Sequence, residues 1–296
     1  MEIGMTAAGR VTPVLSEVAP APSHSAPLSK GDLVLVTGGA RGIVFECVAA
    51  LARYTGCRLV LTGRTEAEEG NPTWLATSPA DADAVFRKME IDMVKQEGKK
   101  LPEAKKIAAN RRARWEVNRN MQRLRAAGID VTYERCDVGN RDELAALVRR
   151  ISSRAPIVGV VHGSGVQKSN LITELPDRAI ELTLKTKLTP VFTLLDELDW
   201  SRVKLFSAFG SIAGLFGNAG QSDYALANDM LALLVKNLAA AHPGLRAQTV
   251  EWTAWVGTGM VSEQEGKRFA EAGLVPLTVD TGVPLYMHGI SGCTDQ

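Results

Sequence analysis

Three polar residues in the C-terminal half have the types and spacing of a proton-transfer site. Ser211 follows an apolar run, and Tyr224 and Asn228 come later, four residues apart on one predicted helix face. A phenol with a pKa of about 10 donates a proton to a ketone oxygen near neutral pH only when a neighbouring cation favours its ionised form. Because the position four residues after Tyr224 is Asn228 rather than lysine, the cation must come from elsewhere. The preceding predicted helix offers Lys185 and Lys187.

A glycine-rich segment near the N-terminal end has the pattern of a phosphate-binding turn. It follows the first predicted strand, opens a helix and reads Thr37, Gly38, Gly39, Ala40, Arg41, Gly42, Ile43. Glycines there let the backbone approach a pyrophosphate, whose charge meets the free N–H groups of the helix N-terminus. The usual third glycine is replaced by Val44, so we expect looser packing of helix on strand or a different turn. An ordinary glycine turn is the alternative, and the strand–turn–helix context favours a nucleotide site.

The end of the second predicted strand indicates which nucleotide would bind. An acid at this point normally binds the 2′-hydroxyl of NADH, whereas a basic residue accommodates the 2′-phosphate of NADPH. Arg64 stands here and Arg41 adds a second charge, which predicts NADPH, although Glu66 lies close by. After the third strand, Asp137 either binds the adenine amino group or caps a turn, and both interpretations stay open.

Six short apolar runs alternate with helical patterns and predict an α/β fold. The predicted strands are 33–36, 58–62, 131–136, 157–162, 203–207 and 248–252, and helices are predicted over 45–54, 141–152, 178–198 and 224–241. This alternation predicts a Rossmann-type, doubly wound parallel sheet with helices on both faces. Ser211 and the glycine turn would then lie at the carboxyl edge, where such sheets bind ligands.

A long helical insertion separates the second and third strands. It spans residues 66–127, and its piece from 87 to 125 holds thirteen Lys or Arg against five acids, a local charge of +8. Two solvated helices on the rim of the sheet are the favoured interpretation, and a docking patch for an acidic partner protein is the alternative. We predict a disordered Pro/Ser/Ala-rich linker over 1–30, the Rossmann domain over 31–290 and a tail over 291–296.

Composition restricts the remaining function classes. Apolar residues make up 45% and charged residues 23%, as in ordinary globular proteins. Because the net charge is only +1, we do not expect the protein as a whole to bind nucleic acid electrostatically. The four cysteines form no CxxC pair, which argues against a zinc site or a disulfide framework and predicts no metal. No apolar stretch is long enough for a membrane helix, and no signal peptide is evident, so we predict a cytoplasmic protein without membrane partners.

These motifs together resemble the ketoreductase domain of fatty acid and polyketide synthases, within the short-chain dehydrogenase/reductase superfamily. The resemblance covers about residues 31–285 and is carried by the glycine turn, Gly63-Arg64, Asp137, His162 to Gly165, Ser211 and Tyr224 with Asn228. The long spacer and the segment 216–224 are more particularly similar to the ketoreductases of polyunsaturated fatty acid and enediyne synthases. Alignment of 186–190 with the family motif selects Lys187 over Lys185.

The resemblance implies NADPH-dependent reduction of a carrier-bound β-ketoacyl thioester to a β-hydroxyacyl thioester. Ser211 would bind the substrate carbonyl oxygen, Tyr224 would donate the proton, Lys187 would lower the pKa of Tyr224 and bind the nicotinamide ribose, and Asn228 would hold a relay water. Val138, Gly163, Ser164 and Gly165 are assigned to the cofactor. His162 is interpreted as a satisfied structural histidine.

Implied partners are an acyl carrier protein and other synthase domains, and homo-oligomerisation stays open. Two rival hypotheses are a catalytically silent structural domain of a synthase and a free-standing reductase of small ketones. The family's last strand and its structural half-domain find no counterpart, which predicts a fragment of a larger synthase. Trp255 and Met260 would line an acyl pocket or pack under a loop.

Overall fold

The computed structural model describes residues 4–7, 9–11, 26–66, 72–257, 271, 273 and 275–292. Its strands are β1 Gly4–Thr6, β2 Gly9–Val11, β3 Leu33–Thr37, β4 Arg58–Gly63, β5 Val131–Arg135, β6 Ile157–His162, β7 Leu205–Ser211 and β8 Arg246–Trp252. Its α-helices are α1 Gly42–Thr55, α2 Ala82–Lys95, α3 Leu101–Ala126, α4 Arg141–Ser152, α5 Asp177–Glu197, α6 Ile212–Phe216, α7 Ser222–Ala241 and α8 Val279–Gly292.

Six parallel strands form the central sheet in the order β5-β4-β3-β6-β7-β8. The middle strands β3 and β6 are buried along their whole length, as expected for strands covered by helices on both faces. The chain runs outward from β3 in both directions, so a switch point lies between β3 and β6, where ligands bind at the carboxyl ends of the strands. The predicted Rossmann-type fold is confirmed.

Val44, which stands in place of the third glycine, packs closely against the end of β6. A Cβ built on Gly163 would lie 2.4 Å from Val44 Cγ2. In this chain the glycine of the helix–strand contact is therefore at the end of the strand, and the larger residue is on the helix. Val44 is buried. The expected looser packing of α1 is therefore wrong, because the small residue has moved to the opposite side of the contact.

The insertion forms the predicted helix pair, α2 and α3, and one face of it is part of the domain. Phe86 and Trp115 form a small core between the two helices. From α3, Asn120 Nδ2 donates to the Ala40 carbonyl at 3.0 Å, and Arg123 forms a two-bond ion pair with Glu46 of α1. The helices are thus not solvated on all sides: α3 is docked on the glycine turn.

The chain ends differ in part from their predicted states. Strands β1 and β2 pair as a short antiparallel hairpin within the segment predicted as a disordered linker, whereas 12–25 lies outside the described residues. At the other end, α8 buries Tyr286 and Ile290 against the core that includes α1. Within the described residues the main sheet has six strands, and 293–296 of the predicted tail are not described. No helix in the described part of the chain has the length and apolar character needed to cross a bilayer.

Candidate active site

One cleft of about 1950 Å³ runs along the carboxyl edge of the sheet and brings most of the predicted site residues together. The glycine turn and the ends of β4 and β6 form one half, and residues from α5, β7 and α7 form the other. The predicted residues that line it are Gly38, Arg41, Gly42, Ile43, Arg64, Asp137, Val138, Gly163, Ser164, Gly165, Lys187, Ser211 and Tyr224. Thr37, Gly39 and Asn228 lie behind its wall.

Ser211 ends β7 and caps the short helix that follows. Its Oγ accepts a hydrogen bond from the Ala213 N–H at 3.2 Å, so the oxygen is held in place while the hydroxyl proton stays available. The Tyr224 phenol lies close to the Ser211 hydroxyl and to the Asn228 side chain. Hydrogen bonding from these two groups lowers the pKa of Tyr224. Serine and tyrosine hydroxyls thus meet at one point of the cleft.

Lys187 is the buried lysine of α5, with 4% of its surface exposed. Its Nζ donates to the main-chain oxygen of Phe209 at 2.7 Å, two residues before Ser211. Burial lowers the pKa of Lys187 to about 8, and the charge of Glu251 acts in the opposite direction. Lys185 is exposed, so the geometry favours Lys187 as the cation of the cleft.

The predicted lowering of the Tyr224 pKa by Lys187 is not seen in this arrangement. The pKa of Tyr224 is raised, first because burial disfavours the phenolate and also because Glu251 repels it. Lys187 is directed to the Phe209 carbonyl, and its charge acts on Glu251 and His162 instead. Lysine and tyrosine line the same cleft without the coupling that the sequence interpretation assumed.

Asn228 is fully buried one helical turn after Tyr224. Its Nδ2 donates to the Tyr224 carbonyl at 2.7 Å, whereas its Oδ1 is buried without a hydrogen-bond partner. A buried amide oxygen without a partner is costly, so this atom is a natural place for a bound water.

His162 links β3 to the backbone of Lys187. Its Nε2 donates to the Lys187 carbonyl at 2.8 Å, so its Nδ1 accepts from the Thr37 hydroxyl at 2.6 Å. Burial and the Lys187 charge lower the pKa of His162 to about 3, which keeps the ring neutral. These contacts agree with its interpretation as a satisfied structural residue.

Basic side chains surround the cleft beyond the end of β4. Arg64 is exposed there, and Arg41 is half exposed at the mouth of the glycine turn. Glu66, the acid that would favour NADH, forms ion pairs with Arg114 of α3 at 2.9 Å and Arg135 of β5 at 3.5 Å. Glu66 is therefore already engaged by two arginines.

Asp137 has the geometry of a turn residue and also faces the cleft. Its Oδ1 accepts from the Gly139 N–H at 3.1 Å, and its own N–H donates to Glu143. Both interpretations left open by the sequence are therefore compatible with its position in the cleft wall.

Sequence reasoning missed two acidic residues of the cleft region. Glu116 of α3 accepts from the Gly42 N–H at 3.3 Å and lies 3.8 Å from Arg41, so an insertion residue reaches the N-terminus of α1. No sequence signal places a residue 74 positions away at this turn. Glu251 of β8 lies behind Ser211, and its presence in an otherwise apolar strand end was a visible signal.

Trp255 is a packing residue that also touches the cleft. Its indole is buried and meets Trp252 edge-on at 5.0 Å, and Gly282 of α8 leaves the space it fills. Met260 lies outside the described residues.

The cleft fits the dinucleotide that the fold implies. Gly38 has φ +70° and approaches Ser164 so closely that a Cβ would lie 3.0 Å from the Ser164 Oγ. Gly42, with φ +63°, begins α1, and its N–H, which donates to Glu116 here, lies at the position that suits a diphosphate. A Cβ on Gly165 would lie 3.3 Å from Lys187 Nζ. Because glycine has no side chain, the space beside the Lys187 ammonium stays open.

Comparison with known proteins finds a family match over the part of the chain that forms the cleft. The family model described as the KR domain matches residues 33–257. Over 256 residues the chain is 32% identical to a polyunsaturated fatty acid synthase polypeptide of Thraustochytrium sp., covering 83% of this chain and 9% of the synthase. It is 33% identical over 168 residues to the polyketide synthase GfsE of Streptomyces halstedii, covering 55% of this chain and 4% of that protein. The chain thus spans less than a tenth of these relatives.

Solved structures share the fold. The first ketoreductase of the tylosin polyketide synthase superposes with a TM-score of 0.70 at 26% identity, covering 98% of this chain and 52% of that one. A ketoreductase domain from the bacillaene assembly line has a TM-score of 0.66 at 24% identity, covering 90% of this chain and 55% of that one. This second likeness concerns the fold alone.

Proposed function

Because the chain belongs to the KR domain family, we propose that it reduces a β-ketoacyl thioester to the β-hydroxyacyl thioester with NADPH as the reductant. The observation that carries the proposal is that Ser211, Tyr224 and Lys187 line the same cleft as the glycine turn. A reductase needs a proton donor and a dinucleotide site side by side, and this cleft offers both.

The residues divide the work according to their chemistry. NADPH, when bound, supplies the hydride that goes to the carbonyl carbon. The Ser211 hydroxyl donates a hydrogen bond to the ketone oxygen, and the Tyr224 phenol gives that oxygen its proton. The unpartnered Oδ1 of Asn228 binds the water through which Tyr224 regains a proton. Lys187, whose Nζ donates to the Phe209 carbonyl two residues before Ser211, supplies positive charge to the same cleft and a donor for the cofactor ribose.

The choice of NADPH over NADH is supported by the charges beyond β4. Arg41 and Arg64 provide guanidinium groups for a 2′-phosphate, and Glu66 is engaged by Arg114 and Arg135. We expect a lower KM for NADPH than for NADH.

The substrate is proposed to arrive on an acyl carrier protein, with other synthase domains as neighbours. The relatives are synthase components, and the insertion exposes lysines that suit an acidic partner. Examples are Lys105 and Lys106, both exposed on α3.

The test is consumption of NADPH by the purified chain with a β-ketoacyl thioester surrogate. Wild type should turn over, and Tyr224→Phe should lose about 10²-fold to 10⁴-fold in kcat because its only change is the loss of the proton donor. Matched circular dichroism and NADPH affinity of the two proteins serve as the control for folding. Equal rates for wild type and Tyr224→Phe would refute the proposal, and NADPH binding without any turnover would favour the silent structural domain.

A further inference from the structure

Glu251 fills a space that a glycine leaves open directly before Ser211. In the parallel pairing of β7 and β8, Gly210 lies opposite Glu251. A Cβ built on Gly210 would lie 2.5 Å from both Glu251 carboxylate oxygens. Any other residue at position 210 would therefore displace this carboxylate from its place behind Ser211.

The carboxylate has little stabilisation of its own. Both oxygens are buried without a hydrogen-bond partner of ordinary geometry, although the Ser211 backbone favours the charged form. Burying a carboxylate in this way is costly unless a positive charge lies near it. The buried cation of this part of the cleft is Lys187.

The Phe209–Gly210 peptide lies between the two groups. Lys187 Nζ donates to the carbonyl of Phe209, and the Glu251 carboxylate lies over the α-carbon of Gly210. Their charges act on each other across this peptide: Lys187 lowers the pKa of Glu251, and Glu251 raises that of Lys187. Burial outweighs this attraction and brings the pKa of Glu251 to about 7 and that of Lys187 to about 8.

The other titratable groups around the pair have defined effects. Asp229 of α7 raises the pKa of Glu251 further, and Glu251 raises the pKa of Tyr224. His162, behind Lys187, stays neutral at physiological pH because its pKa is lowered to about 3. Among the described groups, Glu251 is thus the one whose charge supports the ammonium form of Lys187.

We propose that Glu251 is a positioning residue of the reduction, whose carboxylate holds Lys187 as an ammonium in the cleft that Ser211 and Tyr224 also line. The inference rests on the proposed reductase function. This inference gives β8 a role in the active site. Glu251 of β8 would support the charge of Lys187, whereas Ser211 of β7 and Tyr224 of α7 act on the substrate oxygen.

The effect has a definite pH dependence. Below about pH 6, Glu251 of the wild type is protonated, so Glu251→Gln should be nearly equivalent to it. As the pH rises through about 7, the wild type gains a carboxylate that the variant lacks, and Lys187 of the variant loses its proton earlier. The loss of the Tyr224 proton also moves to lower pH in the variant.

The kinetic test compares pH profiles of kcat for wild type, Glu251→Gln and Glu181→Gln. Glu181 is an exposed acid on the same helix as Lys187, so its variant matches the change in net charge. We expect the alkaline limb of Glu251→Gln to move down by about one pH unit, so that kcat at pH 8 falls about fivefold while kcat at pH 6 stays within about twofold. A uniform loss at every pH would assign Glu251 a merely structural role and overturn the proposal.

A second readout does not depend on turnover. The NMR titration of lysines labelled at the ε-carbon, with the Lys187 signal assigned from Lys187→Met, gives the midpoint of Lys187 directly. It should fall in Glu251→Gln and in Gly210→Ala, which displaces the carboxylate, and stay unchanged in Glu181→Gln. An unchanged midpoint in folded Glu251→Gln would refute the inference. A wild type that lacks turnover but shows the shift would instead refute the reductase function alone.

Discussion

Lys187 of α5 donates a hydrogen bond from its Nζ to the main-chain oxygen of Phe209 on β7, 2.7 Å away. This contact fixes the buried ammonium two residues before Ser211, at the carboxyl end of the strand that also carries the serine. The backbone of Lys187 is fixed in turn, because its carbonyl accepts from His162. The position of the lysine is thus determined by two neighbouring strands, β7 and β6.

Lys187→Met should remove the cation without changing the bulk of the side chain. We expect kcat for the thioester surrogate to fall about 10²-fold to 10³-fold, the size of effect seen when a charge-stabilising donor is lost. The matched control is Lys185→Met, two residues earlier on the exposed face of α5, which should retain wild-type rates. Similar losses in both variants would contradict the assignment of Lys187.

Gly163→Ala should destabilise the fold at the contact between α1 and β6. The new methyl group would lie 2.4 Å from Val44 Cγ2. Overpacking of this kind costs about 1–3 kcal/mol of unfolding free energy, measurable by urea denaturation. The double variant Gly163→Ala/Val44→Ala should recover most of the loss because it frees the space again. A double variant that is less stable than either single variant would show that the contact is misassigned.

Glu116→Gln should tighten the binding of NADPH. Glu116 accepts from the Gly42 N–H at the start of α1, where a diphosphate is expected, so its negative charge opposes the cofactor. Loss of that charge also releases Arg41 from its ion pair. We expect Kd to fall about twofold to fivefold by fluorescence titration, as a change of about 0.3–1 kcal/mol at a helix terminus gives.

The control for this variant is Glu103→Gln, an exposed acid in the first turn of α3, which should leave the affinity unchanged. Weaker binding by Glu116→Gln would mean that the acid orders the glycine turn for the cofactor instead of competing with it.

Reversal of charge on the insertion should raise KM for a carrier-bound substrate but not for a carrier-free one. Lys105→Glu/Lys106→Glu changes two exposed side chains on α3, away from Ser211 and Tyr224. For a substrate on an acidic carrier protein we expect KM to rise about tenfold at low ionic strength and less at high ionic strength. With a carrier-free thioester the kinetics should not change. Equal KM values for both proteins on the carrier-bound substrate would favour the free-standing reductase.

Local patterns were sufficient to predict the sheet and to select candidate residues that line one cleft at its carboxyl edge. Strand β3 is an uninterrupted apolar run ended by glycine, and Ser211 and Tyr224 carry a spacing that depends only on the chain around them. The strand–turn–helix context of the glycine segment is likewise local. These features do not depend on distant contacts, which is why sequence alone indicated them.

Contacts between distant segments could not be predicted in this way. The close contact of Val44 with Gly163 could not be predicted, because the sequence does not show which strand end faces α1. The reach of Glu116 to Gly42 depends on how the insertion folds back over the domain. The direction of the Tyr224 pKa shift follows from burial and from the position of Glu251, and both depend on how β7 and β8 pair.

The central claim is that hydride and proton meet a substrate ketone in the cleft between the glycine turn and Tyr224. It is tested most directly by mass spectrometry of the product formed from NADPH deuterated at C4 of the nicotinamide and a β-ketoacyl thioester. Wild type should place a single deuterium on the carbinol carbon of the β-hydroxyacyl product, and Tyr224→Phe should form little of it. Absence of labelled product from folded wild-type protein that binds the cofactor would contradict the account.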